Sequence, residues 1–262
     1  MRLFVLIISF CFTLVTLAQA ELTALDIVNR SEEAIRVQGV QAVSVLRIID
    51  EKGRERVRKI KQVTKLYDNG ETEKKLIRFI EPADIKGTGL LTFDYRSKDD
   101  DLWVYVPTLR KVRRIVSSEK SKSFFGSEFT YADMSPPSPN DFDFKLLGEE
   151  KVGDVLCYKV EWKPKNDDVA EENGFSRRIT FSGKDDFVVR KSVYYDLDGE
   201  LYKELIVNEI KELDTKNHKF RFMNSEAINK QNGRRSTFVN ETIEFKPDVD
   251  DKYFTTQYLE RE

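Results

Sequence analysis

The chain has 262 residues and is heavily but evenly charged, with 44 Lys and Arg against 46 Asp and Glu and a formal net charge of −2. That balance argues against a general nucleic-acid binder, which needs a basic excess, and suits a well-solvated protein in an aqueous compartment. A single histidine excludes a His-based zinc site by count. It also leaves a Ser-His-Asp or Cys-His enzyme only His218, in a polar Asn217-His218-Lys219 turn.

In chain order, the first twenty residues stand apart. Arg2 gives a positive start, residues 3–17 are almost entirely apolar, and Ala18-Gln19-Ala20 is a small-x-small cleavage site. This pattern predicts a secretory signal cut after Ala20 and an exported mature chain, residues 21–262, read as one domain. The apolar run is short for a bilayer span, and no basic cluster follows it. Cys11 lies within it behind Ile8-Ser9-Phe10, a poor lipobox, so lipidation is not expected. Cleavage leaves Cys157 as the remaining cysteine, in an alternating strand pattern that suits a buried structural thiol.

The first mature element reads as a helix. Thr23 and Asp26 form a capping box, Leu25, Val28, Ala34 and Ile35 keep a mostly helical spacing, and Gly39 is a natural stop. Strand patterns follow at 43–50 and 54–67, then at 75–79, 90–95, 102–106 and 111–116. Pro136, Pro137 and Pro139 bar helix and central strand alike and predict a rigid crossover loop. The strand pattern resumes at 142–147, 155–163, 175–181, 187–195, 201–211, 220–229 and 235–245, with turn signals such as Asp198-Gly199 and Asn232-Gly233. Residues 251–259 suit a terminal strand or short helix.

About twelve strands and one clear helix predict a mainly β, α+β fold. Alternation puts Phe175, Arg177, Ile179 and Phe181 on one face, and Thr237, Val239, Glu241, Ile243 and Phe245 on another. Such a meander with a helix can curl into a single large curved antiparallel sheet, a half-open barrel over its N-terminal helix.

Catalytic signals are sparse. Gly87-x-Gly89 lacks the rest of a nucleotide fingerprint. Asp99-Asp100-Asp101 suits a solvated turn, and Asp196-x-Asp198-Gly199-Glu200 lacks the later ligands of a calcium loop. No spacing singles out a carboxylate pair for glycoside chemistry. No enzyme activity, cofactor or metal is expected.

The densest signal spans residues 101–133. A strand ending at Pro107 leads to a basic run, Arg110, Lys111, Arg113 and Arg114, and then to aromatics around Gly126. The Ser/Lys-rich lead-in at 117–123 reads as a mobile loop, and apolar groups on such a loop serve as a lid or a docking patch. The motifs are Trp103-x-Tyr105-x-Pro107, Arg113-Arg114-Ile115, and Phe125-Gly126-Ser127-x-Phe129-Thr130-Tyr131-x-Asp133. Together they resemble the segment shared by the LolA-like superfamily, often labelled outer-membrane lipoprotein-sorting proteins.

That resemblance implies a periplasmic, non-catalytic carrier or chaperone for a lipid, a lipoprotein acyl chain or other hydrophobic cargo moving toward the outer membrane. It implies an inner-membrane transporter and an outer-membrane acceptor as partners of a monomer. The resemblance also places a helix or loop over the mouth of the half-open barrel, with Trp103, Tyr105, Phe124, Phe125, Phe129 and Tyr131 as the expected cavity and mouth residues. Arg113 and Arg114 are expected to meet an anionic headgroup or an acidic partner. A structural or adaptor subunit docking on a transporter or envelope protein is the alternative, marked by an interior filled with its own side chains. A carboxylate hydrolase, a third reading, needs two facing acids in a cleft.

Overall fold

A computed structural model describes residues 22–261. The signal-peptide reading falls on residues 1–20, outside that range. Helix α1 (Ala24–Ile35) starts as the sequence predicts: Asp26 N–H donates to the Thr23 hydroxyl, and Thr23 N–H donates to the Asp26 carboxylate. Two of the otherwise unpaired donors at the helix start are thereby satisfied. The helix ends at Arg36, before Gly39. Gly39 instead opens the first strand, because a Cβ there would meet the Lys246 carbonyl oxygen at 2.2 Å.

Thirteen strands follow. They are β1 (Gly39–Ile49), β2 (Glu55–Tyr67), β3 (Thr72–Glu81), β4 (Gly89–Tyr95), β5 (Asp101–Val106) and β6 (Lys111–Ile115), then β7 (Phe142–Val152), β8 (Val155–Pro164), β9 (Arg177–Gly183), β10 (Val189–Tyr195), β11 (Leu201–Asp214), β12 (Lys219–Asn229) and β13 (Arg235–Phe245). Three short helices accompany them: α2 (Tyr131–Met134) between β6 and β7, α3 (Asp167–Asn173) between β8 and β9, and α4 (Thr256–Leu259) after β13.

All thirteen strands share one antiparallel sheet. Its order runs from β6 back to β1, across to β13, and down to β7. Every neighbour is a sequence neighbour except β1 and β13. The sheet does not close: β6 and β7 are its two free ends, and residues 116–141 connect them. The sheet is strongly curled. Arg221 on β12 reaches Glu73 on β3 at 2.6 Å, although β2, β1 and β13 lie between them. In a flat sheet those two strands stand about 19 Å apart.

The concave face holds most of the core. Over one half, α1 lays Ile27 and Val28 against Phe142, Val160, Trp162 and Tyr194. Each such fully buried aliphatic side chain contributes about 1.5–3 kcal/mol. Over the other half, the 116–141 connection packs on Leu46, Ile60, Ile77 and Phe79. The convex face is covered near β3–β5 by the C-terminal segment, with Val249, Phe254 and Leu259 on Leu76 and Leu91.

Two strands depart from strict alternation. The β1–β13 register slips between Ser44–Asn240 and Val43–Thr242, leaving Glu241 as a bulge. Phe238 and Ile243 therefore line one cavity despite their odd spacing. Phe175 precedes β9 and joins the concave cluster, while Ile179 and Phe181 pack with Cys157 in a separate cluster. Cys157 is a buried free thiol, as its strand pattern suggested.

Candidate binding cleft

The 116–141 connection is a plug in the concave face. Its lead-in is anchored, contrary to the mobile loop its composition suggested: Lys120 is buried and pairs with Glu172 of α3 at 2.6 Å. Phe124 is fully buried and stacks on Phe79, with ring centroids 5.9 Å apart. Phe125 meets both rings edge-on at 4.9 and 5.0 Å. Left-handed backbone at Phe125 (φ 48°) and Gly126 (φ 80°) makes the sharp turn between them and Ser127. The Ser127 hydroxyl then donates to the Phe124 carbonyl at 2.7 Å.

The rest of the motif fastens this plug to the far half of the sheet. Phe129 packs edge-on against Phe238 of β13 at 6.2 Å. Glu128 N–H donates to Ser236, and the Glu128 carboxylate accepts from Asn229 at 3.1 Å and pairs with Arg234 at 3.0 Å. Thr130 and Asp133 form a second capping box, at the start of α2. Tyr131 is buried beside Phe124 and Phe125.

The aromatics expected at one mouth are split between two faces. Along β5, Leu102 and Val104 point to the concave core, so Trp103 and Tyr105 point the other way. They pack in the convex cluster under the C-terminal segment. Phe124 and Tyr131 are core residues on the concave side, and Phe129 reaches a cavity wall. Arg113 and Arg114 are exposed on the free edge strand β6, where they pair with Glu119 and Asp101 respectively.

A cleft remains on the concave face between α1 and the plug. Its outer part, about 530 Å³, is walled by α1, by the turn at residues 136–140, and by β3, β4 and β12. Its inner part, about 200 Å³, has a floor of Val40, Ile77, Phe129, Leu205, Phe238 and Ile243. Lys75, Asp133, Arg221 and Phe222 line both parts, so the two adjoin. An apolar floor beside convergent polar and charged groups is the arrangement of a small-molecule site.

Charged side chains line the outer part, and Lys75, Asp133 and Arg221 reach the inner part as well. Glu73 pairs with Arg221 at 2.6 Å and lies 3.7 Å from Lys75. Burial opposes its charge, but those two cations outweigh it and hold the carboxyl at about 2. Arg36 reaches Asp94 at 3.4 Å and donates to the Gly70 carbonyl at 2.9 Å. Burial, with Asp100 and Glu73 nearby, pushes Asp94 up to about 6. Burial and the Asp94 charge push Glu32, on α1, up to about 7.

These cleft residues escape a pattern reading that looks only for motifs. A signal was present: Glu73 and Lys75 stand in the same alternating register as Ile77 and Phe79, and Asp94 in that of Leu90 and Thr92. A charge in the apolar register of a strand is a buried charge, and buried charges need partners.

Among the described residues, no group of three or more His, Cys, Asp or Glu side chains is placed to hold a metal, and no helix is long and apolar enough to cross a membrane. His218 lies in the exposed β11–β12 turn against Glu212. Asp196 accepts from Asp198 and Glu200 N–H as the β10–β11 hairpin turn.

The fold is that of the LolA-like superfamily, as the motifs implied. A domain named for outer membrane lipoprotein sorting, from Vibrio parahaemolyticus, matches with a TM-score of 0.82 at 24% identity, over 91% of this chain and 98% of that one. A DUF1329 family protein from Desulfovibrio piger matches at 0.81 and 28% identity, over 90% and 97%. A LolA superfamily protein from Nitrosomonas europaea matches at 0.69 and 19% identity, over 91% and 100%. A family model described as "Uncharacterized protein" matches residues 71–261, and the chain belongs to that family. No curated protein matches the chain.

Proposed function

We propose that the protein is a periplasmic, non-catalytic carrier that holds the alkyl chain of a lipid or acylated protein in the cleft between α1 and the plug, for transfer toward the outer membrane. The observation that carries this reading is the apolar floor, left open between the two packed clusters of the concave face. Each CH₂ moved from water onto that floor contributes about 0.8 kcal/mol. The charged outer part keeps the polar end of the cargo solvated. Export fits the signal-like residues 1–20, and a sorting role fits the name carried by the Vibrio parahaemolyticus domain. Arg113 and Arg114, on the free edge of the sheet, then serve a partner protein rather than the cargo. The same face makes an adaptor with a wholly self-filled interior the weaker reading.

Native mass spectrometry of the mature protein, purified without detergent and followed by lipid extraction, tests the proposal. The expected result is a co-purifying or readily added acyl species at one per chain. Failure of lipids and acylated peptides alike to bind overturns it.

A further inference from the structure

The outer cleft holds one charged side chain that the protein itself leaves unsatisfied. Arg221 and Lys75 share Glu73, and Lys75 also donates to the Met134 carbonyl at 2.9 Å. Arg36 is divided between Asp94 and Gly70. Arg96 pairs with Glu33, and Asp133 pairs with Lys203. Glu32 lines the same wall. Among the described residues its carboxyl has no hydrogen bond or ion pair, only the more distant charges of Asp94, Arg36, Arg178 and Arg96.

The asymmetry decides what polar group the cleft accepts. The cations of the cleft already face carboxylates, Arg221 against Glu73 and Arg36 against Asp94, so an anion there competes with a negative charge that the protein supplies. A cation displaces nothing: it meets the free Glu32 carboxylate, with Asp94 behind it.

We propose that the cleft selects an amphiphile whose polar end is a protonated amine, bound by Glu32, with its alkyl chain over the Phe129–Phe238 floor. This inference rests on the carrier reading and narrows the class of cargo. Two sources share the chemistry: the ethanolamine headgroup of a phospholipid, and a free amine such as that of an acylated peptide.

The test is calorimetric titration of the mature protein at pH 8, below micelle concentrations, with dodecylammonium, dodecanoate and dodecanol, repeated on Glu32→Gln. Dodecylammonium is expected to bind about tenfold tighter than dodecanoate, a difference of about 1.4 kcal/mol. Glu32→Gln is expected to remove that preference. Equal binding of all three probes, or a preference that survives Glu32→Gln, overturns the inference and leaves the carrier reading standing. Binding of none overturns both. A matched pair of lyso-phospholipids, ethanolamine against glycerol, separates the sources. A Glu32-dependent preference for ethanolamine supports the phospholipid headgroup, and a preference confined to dodecylammonium supports a free amine.

Discussion

Asp133 receives the Lys203 ammonium at 2.7 Å, with both side chains more than nine-tenths buried. This pair ties α2, on the connection between the two free ends of the sheet, to β11 in the far half of the barrel. Burial opposes the charge on Lys203, but Asp133 and Tyr194 hold it above the usual lysine range. Asp133 is also the N3 residue of the α2 capping box. One carboxylate thus ends the aromatic motif, starts the helix and anchors the plug.

Removing one partner strands a buried charge. Lys203→Met is expected to destabilise the protein by about 3–5 kcal/mol in urea denaturation. Adding Asp133→Asn is expected to recover part of that loss, because the uncompensated carboxylate goes with it. Full additivity of the two changes contradicts the pairing.

Phe124 and Trp103 separate by burial. Phe124→Ala empties a site with no exposure and is expected to cost about 3–5 kcal/mol. Trp103→Ala, half-buried on the convex face, is expected to cost about 1–2 kcal/mol. Thermal or urea melts measure both. Neither loss depends on cargo, so the same difference should appear in delipidated protein.

Stability should fall at alkaline pH through Glu32. Its folded carboxyl sits at about 7 against 4.5 in a free chain, through burial and Asp94. A raised value means that the folded state holds the proton more tightly. Its contribution is therefore intact below 4.5 and is lost as pH rises through about 7. Glu73 runs the other way: held at about 2, it supports the fold above 4.5 and loses that support only in strong acid. Relative to Glu32→Gln, the wild type is expected to lose about 2 kcal/mol between pH 5 and pH 8. Parallel pH profiles for the two proteins contradict this.

The C-terminal segment should open locally when Arg78 is removed. Arg78 donates to the carbonyls of Tyr258 and Leu259 at 2.5 and 3.1 Å, and its guanidinium lies 5.1 Å from the Tyr258 ring centroid. Arg78→Ala is expected to speed amide exchange about tenfold across residues 247–261, with the concave core unchanged. Uniform loss of protection across the sheet contradicts a local strap.

Local signals in the sequence carry most of the fold. The Thr23–Asp26 box sets the start of α1, and strand alternation with hairpin turns places nearly every strand. Thr130 and Asp133 carry the same spacing, but the helix they start is four residues long, too short to leave a helical repeat in the sequence. The β1–β13 pairing joins residues far apart in sequence, and no local pattern encodes it. The bulge at Glu241 moves Ile243 across the sheet, and one inserted residue leaves the composition of a strand unchanged. The site suffered most. Whether Trp103 or Leu102 faces the cavity depends on register, and the exposure of Phe124 depends on a plug fastened by Glu128 and Asp133 to strands about a hundred and about seventy residues away.

The central claim is that an alkyl chain occupies the cleft at Phe222, which lines both of its parts. The most direct measurement is fluorescence of Phe222→Trp, read as the difference from the parent protein, during titration with bromine-labelled undecanol. Bromine quenches an indole only near contact, and a neutral headgroup keeps Glu32 out of the result. Saturable quenching of the introduced indole, reversed by unlabelled undecanol, is the predicted outcome. Quenching that rises linearly without saturation, as from collisions in bulk water, contradicts the account.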